Sequence, residues 1–508
     1  MVLFASLLSL SSGRLSASDL DTVGVTALRA AAPQLNGTGV WVAQPEAGLP
    51  FWQVNPSVVS QPQSLFTWIS SNGTATAFPN AVGSESGHAD QVGGLFYGGG
   101  TGVATGVNHV HNYEANFFVN VIISGKTQIV AQVANQSFVY GAQVPTLDSA
   151  YDDYAARYGI LFLNGAGNGG AVPSPATSYN GIAVAAYGGS SSTGPTTDGR
   201  AKPDITAPAS LTSFSTPLVA GAAALLLQAA LHDDGGSGTA AQATNAILLK
   251  GLLLNGAVKP ADWIASTTIP LDNRYGAGVL NVMNSWRELR GGRHVFNSAS
   301  SVLIGSPHLP PATASIIAYR RGWDYNTITS SASQDAIINY FFDLNGVTNH
   351  PFTCAATLVW AKHEGAATIA NLDLFLYNAT NGSLVASSVS VGNNVEHFYA
   401  TNLPAGRYDL QLVRHGGPGQ TAPETYGLVF DFGPPDPPLL VNAFPSGGGF
   451  RFRVLGEPNQ FIAIQATTDW NAWNSLATNS TGNIGFFDFI DMQAEFSRFN
   501  VYRAFQLP

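Results

Sequence analysis

The spacing of apolar and polar residues divides the chain. From about residue 20 to 295, strand-length apolar runs alternate with longer helical patterns. Beyond about residue 300 only strand-length runs recur, with polar residues alternating along them. In the first region Gly39–Ala43 (GVWVA), Gly159–Leu163 and Gly181–Tyr187 are continuous apolar segments, the pattern of strands buried on both faces, and Gln128–Phe138 (QIVAQVANQSF) reads as another buried strand ending in Asn-Gln-Ser-Phe. Val25–Ala32, Gly87–Leu95 and Leu147–Tyr158 read as helices between them. Strands alternating with helices predict an α/β domain with a parallel sheet. His109 and His111 lie two apart on a further strand, so they share one face.

The longest apolar pattern is Thr212–Gly236, TSFSTPLVAGAAALLLQAALHDDGG. A helix apolar on all sides belongs in the centre of a domain. Gly235 and Gly236 are expected to stop it. Its front end is polar and centred on Ser213, and Pro217 sits a turn inside at a cost of roughly 3 kcal/mol. Helix N-terminal N–H groups and the positive dipole end stabilise a developing oxyanion. Taken alone, the segment reads as an N-capped core helix, as most such segments are, with a nucleophile-bearing helix as the alternative.

In the second region Ile337–Phe342, Ala355–Trp360, Leu372–Tyr377, His397–Thr401 and Tyr408–Arg414 predict an antiparallel sandwich, with turns such as Asn381-Gly382 between strands. GPPDPP at 433–438 is a stiff linker. Residues 439–508 form a small all-β module with strands near Phe450–Leu455, Phe461–Thr467 and Asn500–Phe505, and a turn flanked by Trp470 and Trp473. At the other end, Val2–Leu10 is too short to span a membrane. Residues 1–18 read either as the remnant of a signal peptide, without a basic n-region, or as a truncated or misplaced start. The expected division is therefore 1–18, a domain at 19–295, a sandwich at 300–432, the linker at 433–438 and the module at 439–508.

Composition narrows the function. Only 10% of residues are charged, against roughly 25% in an average soluble domain, and the net charge is −10 with no basic run. Nucleic acid is thereby an unexpected partner. The single cysteine, Cys354, excludes an internal disulfide.

Three ordered segments carry a resemblance: GHADQVGG (Gly87–Gly94), LFLNGAGNGG (Leu161–Gly170), and KPDITAP (Lys202–Pro208) followed by TSFSTPLVAGAAALL from Thr212. Together they resemble the histidine, oxyanion and serine regions of the subtilisin-like serine peptidases, over about residues 20–295. The resemblance implies a subtilisin-like parallel sheet with flanking helices, followed by a β-sandwich and a small all-β C-terminal domain. It implies Ser213 as nucleophile, His88 as general base and Asn168 as a side-chain oxyanion donor. The family's acid is an aspartate at the end of the first core strand; the matching residue here is Glu46, in QPEAG. Ser137, Phe138 and Val139 are expected to pair with the substrate backbone, and Gly165, Ala166 and Gly167 to wall the pocket for the side chain before the scissile bond.

The sequence departs from the family between 188 and 211. Only four residues, Ala209–Thr212, separate Pro208 from Ser213, and Leu211 replaces the usual glycine. The expected function is that of a secreted bacterial serine endopeptidase acting on proteins or peptides, with β modules that bind cell-surface or extracellular material. A catalytically inactive subtilisin-fold binding protein is the alternative that Glu46, Leu211 and the shortened approach keep open. No cofactor is required for the chemistry. Structural calcium is the metal the resemblance allows, with Asp373 in the sandwich as a lone candidate ligand.

Overall fold

The computed structural model describes residues 17–312, 315–316, 319–345, 351–433, 438–456, 460–482, 486–494 and 500–507. The proposed signal remnant at 1–18 and linker at 433–438 thus lie largely outside the described residues.

An eight-stranded sheet organises the first half. Its spatial order is Ile205–Pro208, Ile182–Tyr187, Leu161–Gly165, Val133–Gln136, Trp41–Glu46, His109–Glu114, Phe66–Ser70 and Gly73–Ala75. All neighbours are parallel except the last pair, an antiparallel edge hairpin. The central strand, Trp41–Glu46, runs past its expected end through Pro45 to Glu46. Proline is tolerated there because the pairing with Val133–Gln136 covers only Val42 and Ala43, so no ladder bond on that side needs its missing N–H. The next strands in sequence pair to one side of this central strand and all later ones to the other. That reversal opens a crevice at the carboxyl edge of the sheet.

The Thr212–Leu231 helix lies beneath the sheet. It is long and apolar enough by composition to cross a membrane, but 89% of that window is buried inside the fold. It ends at Leu231, earlier than expected. Gly235 is a packing glycine: a Cβ there would stand 3.0 Å from both Leu289 Cδ1 and Trp323 Cζ2.

Two antiparallel sheets follow. One orders Ser298–Leu303, Gln334–Asp343, Arg407–Arg414, Leu372–Asn378 and Leu384–Ser388; the other orders Arg321–Ile328, Glu424–Gly433, Phe352–Trp360 and Val395–Leu403. Aromatic and leucine side chains fill the space between them. The second sheet also packs outward on the Ala246–Asn255 helix, so Val359, Val395 and Val429 join the core of the α/β unit. The C-terminal residues form two three-stranded antiparallel sheets. Arg453 of this module pairs with the buried Asp21 of the first described helix. Trp470 is exposed, whereas the Arg503 guanidinium lies 4.1 Å over the Trp473 ring. Asp373, the candidate calcium ligand, accepts a hydrogen bond from His415 Nε2 at 2.8 Å.

The seating of sandwich on helix depends on a close backbone approach. A Cβ at Gly427 would stand 3.2 Å from Leu248 Cα. Gly427→Leu is therefore expected to destabilise the protein by about 1–3 kcal/mol through overpacking, measured by denaturant unfolding. A change within about 0.5 kcal/mol, the scale of an ordinary surface substitution, would show that this contact does not hold the two units together.

Candidate active site

Glu46 ends the central strand at the crevice and is 1% exposed. His88 is the second residue of the Gly87–Phe96 helix, which Ser86 caps by accepting the Ala89 N–H at 3.3 Å. The two meet: His88 Nδ1 and Glu46 Oε2 are 2.9 Å apart. The imidazole is 41% exposed while its carboxylate partner is buried, so one ring edge contacts Glu46 and the ring still faces the crevice. Burial disfavours the charged imidazole, but the charge and hydrogen bond of Glu46 outweigh it and hold His88 above its ordinary value. Asp90, two residues on, points elsewhere and accepts the Asn55 N–H at 2.6 Å. Burial raises its carboxyl to about 7, with the Asn55 bond opposing and Glu85 and Glu46 adding to the rise.

Ser213 is the second residue of the Thr212–Leu231 helix. Its hydroxyl donates to the Ser137 carbonyl at 3.3 Å, and Ser137 Oγ donates to the Ser213 carbonyl at 2.9 Å. The Phe214 and His88 rings lie 5.9 Å apart, so the two helix starts are neighbours. Among the described residues no hydrogen bond joins Ser213 to His88. Catalytic hydrogen bonds are commonly loose without substrate and tighten when it binds.

Asn168 lies on the loop after Leu161–Gly165 and is exposed. Its Oδ1 accepts both the Thr212 N–H at 2.8 Å and the Thr212 hydroxyl at 2.9 Å. The helix has no side-chain cap at its own Leu211, so Asn168 caps it from outside. The two donors assign Oδ1, which leaves Nδ2 as the end that donates to a ligand. The Ser213 N–H, in the first turn, has no intrahelical acceptor. The Asn168 amide and the Ser213 N–H thus both lie at the start of the helix that carries Ser213.

The expected substrate-binding residues divide. Ser137 is buried and tied to Ser213. Phe138 packs in a core cluster with Phe118 and Tyr151, and Val139 is half-buried. A Cβ at Gly165 would stand 3.3 Å from Thr212 Oγ1, and Ala166 is fully buried. Gly167 has φ +93°, and a Cβ there would stand 2.5 Å from Ser192 Oγ. Ser192 holds this loop, donating from its N–H to the Gly167 carbonyl at 2.7 Å and from its hydroxyl to the Gly169 carbonyl at 2.9 Å. The 188–211 segment that departs from the family therefore holds the 167–169 loop in place. Leu211 has φ −141° and ψ 154°, an extended conformation open to any residue, so glycine is not needed there.

Sequence reasoning missed Ser192, Thr212 and Gln44. Gln44 Nε2 donates to Glu46 Oε1 at 2.9 Å. Its signal was present: a polar residue inside an apolar strand, two positions before Glu46 and so on the same face.

A carboxyl–imidazole pair at the edge of a parallel sheet, beside a serine at a helix start, is the layout of an α/β serine hydrolase site. Residues 59–278 match the subtilase family, a family of serine peptidases, and the matched stretch contains His88, Asn168 and Ser213 but not Glu46. The stretch that matches this family is thus followed by antiparallel β sheets. No curated protein matches the chain. Among solved structures, the self-cleaved protease domain of PatA is 21% identical, covering 51% of this chain and 99% of that one with TM-score 0.36. The prenylagaramide maturation protease PagA is 21% identical, covering 53% and 99% with TM-score 0.39. The Aeromonas sobria serine protease, solved with its chaperone, is 12% identical, covering 94% and 89% with TM-score 0.35.

The His88 environment sets a pH response. Glu46→Gln removes the charge that raises His88 and leaves the burial that lowers it. The imidazole is then expected to titrate below its wild-type value and below the ordinary histidine value. By linkage, the stabilisation from the raised group is present below the ordinary value and lost as pH rises through the folded one, so the variant's deficit is largest in acid. NMR titration of the His88 ring reads the shift. An unchanged titration would assign the raised value to another group.

Proposed function

We propose that the chain is a secreted serine endopeptidase that hydrolyses peptide bonds through an acyl-enzyme and a Ser-His-Glu triad. The observation that carries this reading is the 2.9 Å contact between His88 Nδ1 and buried Glu46 Oε2. With Nδ1 committed to the carboxylate, Nε2 is the nitrogen left to take a proton. Substrate enters as an added strand along the backbone of Ser137–Val139. The Ser213 hydroxyl leaves the Ser137 carbonyl, passes its proton to His88 and attacks the scissile carbonyl. The Asn168 Nδ2 amide and the Ser213 N–H receive the oxyanion. His88 then protonates the departing amine, and a water activated by the same imidazole releases the acyl group. Glu46 keeps Nδ1 protonated and stabilises the imidazolium throughout. Secretion rests on the apolar Val2–Leu10 run, and a surface-binding role of the C-terminal module rests on exposed Trp470.

Labelling of purified protein with a fluorophosphonate probe tests the reading, with Ser213→Ala as the unlabelled control. Glu46→Gln is expected to slow turnover by ~10⁴, the cost of the comparable Asp→Asn change in another serine peptidase. Asn168→Ala is expected to cost ~10²–10³. A folded wild-type protein that neither labels nor cleaves a casein substrate would favour the inactive subtilisin-fold alternative. Wild-type rates in Glu46→Gln would show that another group orients His88.

A further inference from the structure

Behind the Glu46–His88 pair lies a second layer of hydrogen bonds. Gln44 is fully buried. Its Nε2 donates to Glu46 Oε1 at 2.9 Å and to the Ala89 carbonyl at 3.0 Å, beside His88 in sequence. Its Oε1 accepts the Tyr97 hydroxyl at 2.5 Å. Tyr97 is also fully buried, at the C-terminal end of the histidine helix. These three bonds assign both ends of the amide. Gly93, one turn earlier on that helix, makes room for them. A Cβ there would stand 2.8 Å from Tyr97 Oη and 3.3 Å from Gln44 Oε1.

Core filling alone does not account for this arrangement. A buried amide and a buried phenol are costly unless bonded, and an apolar pair would fill the same space without that cost. Here one bond ends on an atom of the candidate triad, Glu46 Oε1, and the other two fix the amide that makes it. His88 holds only Oε2 of Glu46. The terminal carboxylate torsion of a glutamate is broad, so a single contact leaves the group free to swing. A second contact on Oε1 fixes the carboxylate plane, and the Ala89 bond ties that plane to the helix carrying His88.

We propose that Gln44 is the positioning residue for this carboxylate, holding Glu46 Oε1 so that Oε2 faces His88 Nδ1, with Tyr97 fixing the Gln44 amide. The assignment rests on the triad reading for its catalytic consequence, though not for its effect on the His88 ring. The titratable groups around Glu46 are His88 on the helix, Tyr97 behind Gln44, Asp90 with Glu85, and Glu114 opposite on the neighbouring strand. Glu114 is occupied by the N–H groups of Asn116 and Phe117.

The test compares wild type, Gln44→Met, Tyr97→Phe and the double variant in the full chain, with circular dichroism as the folding check. Two readouts are taken against pH: the NMR titration of His88 and the rate of fluorophosphonate labelling. Gln44→Met frees the carboxylate, so His88 is expected to titrate below its wild-type value. Labelling is expected to slow about 10- to 100-fold, the scale of a ~1 Å misplacement. Tyr97→Phe moves both readouts in the same direction by less. The double variant is no worse than Gln44→Met, because both act through one contact. A His88 titration unchanged in a folded Gln44→Met overturns the proposal. If that variant does not fold, an unchanged titration in Tyr97→Phe overturns it. Absence of labelling in wild type would defeat the peptidase reading while the titration still decides the role of Gln44.

Discussion

The constraint on which this structure depends is the burial of one helix that is apolar on every side. Thr212–Leu231 offers no polar face to water, so other elements must enclose it. The parallel sheet covers it along one side and the histidine helix along another. Gly221 lets the chain around Val103 come close, since a Cβ there would stand 2.4 Å from Val103 Cβ. The buried amide of the helix, Gln228, is satisfied by the N-terminal segment, accepting the N–H groups of Asn36 and Gly37 at 2.8 and 2.7 Å. Burial fixes the axis of the helix, and its start then has one position relative to the sheet edge. Ser213 inherits that position, and so does its neighbour Phe214, which meets the His88 ring.

The same enclosure explains why the sandwich is not an independent appendage. Trp323, Val359, Val395 and Val429 belong to the core that surrounds the Ala246–Asn255 and Thr212–Leu231 helices. Asn255 accepts the Thr357 hydroxyl at 2.9 Å across the boundary, and Asn180 accepts the Lys362 N–H at 2.8 Å. Lys250, at the same junction, is buried and donates to the carbonyls of Tyr179 and Gly181 at 2.9 Å each. A sheet whose outer face covers a helix is buried on both faces, and so its strands lose the clean alternation of a half-exposed sandwich.

That loss hides some of the sheet's strands from the sequence. Strands with a local signature were readable: Gln334–Asp343 and Phe352–Trp360 extend the segments expected from their apolar runs. Arg321–Ile328 and Glu424–Gly433 were not expected. The first mixes buried and half-buried positions without a period of two, because one side meets the sandwich core and the other the helix layer. Of the candidate site, His88, Asn168 and Ser213 stood out as candidates because each sits in a contiguous motif at an element end. The long-range contacts were not: Asn168 capping Thr212, Ser192 holding Gly167, and Tyr97 reaching Gln44 each join residues with no sequence relation. The Gln128–Phe138 run shrank to Val133–Gln136 for a related reason. Before Val133, Ile129 and Ala131 pack in the flanking core without pairing in the sheet, and Val130 is exposed.

Glu46 shows what a longer acid demands of its surroundings. A buried carboxylate survives only if hydrogen bonds replace the water it has lost. An aspartate at a strand end is held close by the backbone; a glutamate carries one more rotatable bond and needs more contacts to reach a single orientation. Here the strand runs on through Pro45 so that Glu46 stays in the sheet ladder opposite Glu114. His88 and Gln44 then take one carboxylate oxygen each. Gln44 in turn requires Tyr97, and Tyr97 requires the absence of a side chain at Gly93. One extra methylene in the acid is therefore matched by a chain of compensations running from the central strand through the histidine helix. Gln44 and Tyr97 each bring a buried polar group that packing alone would not call for.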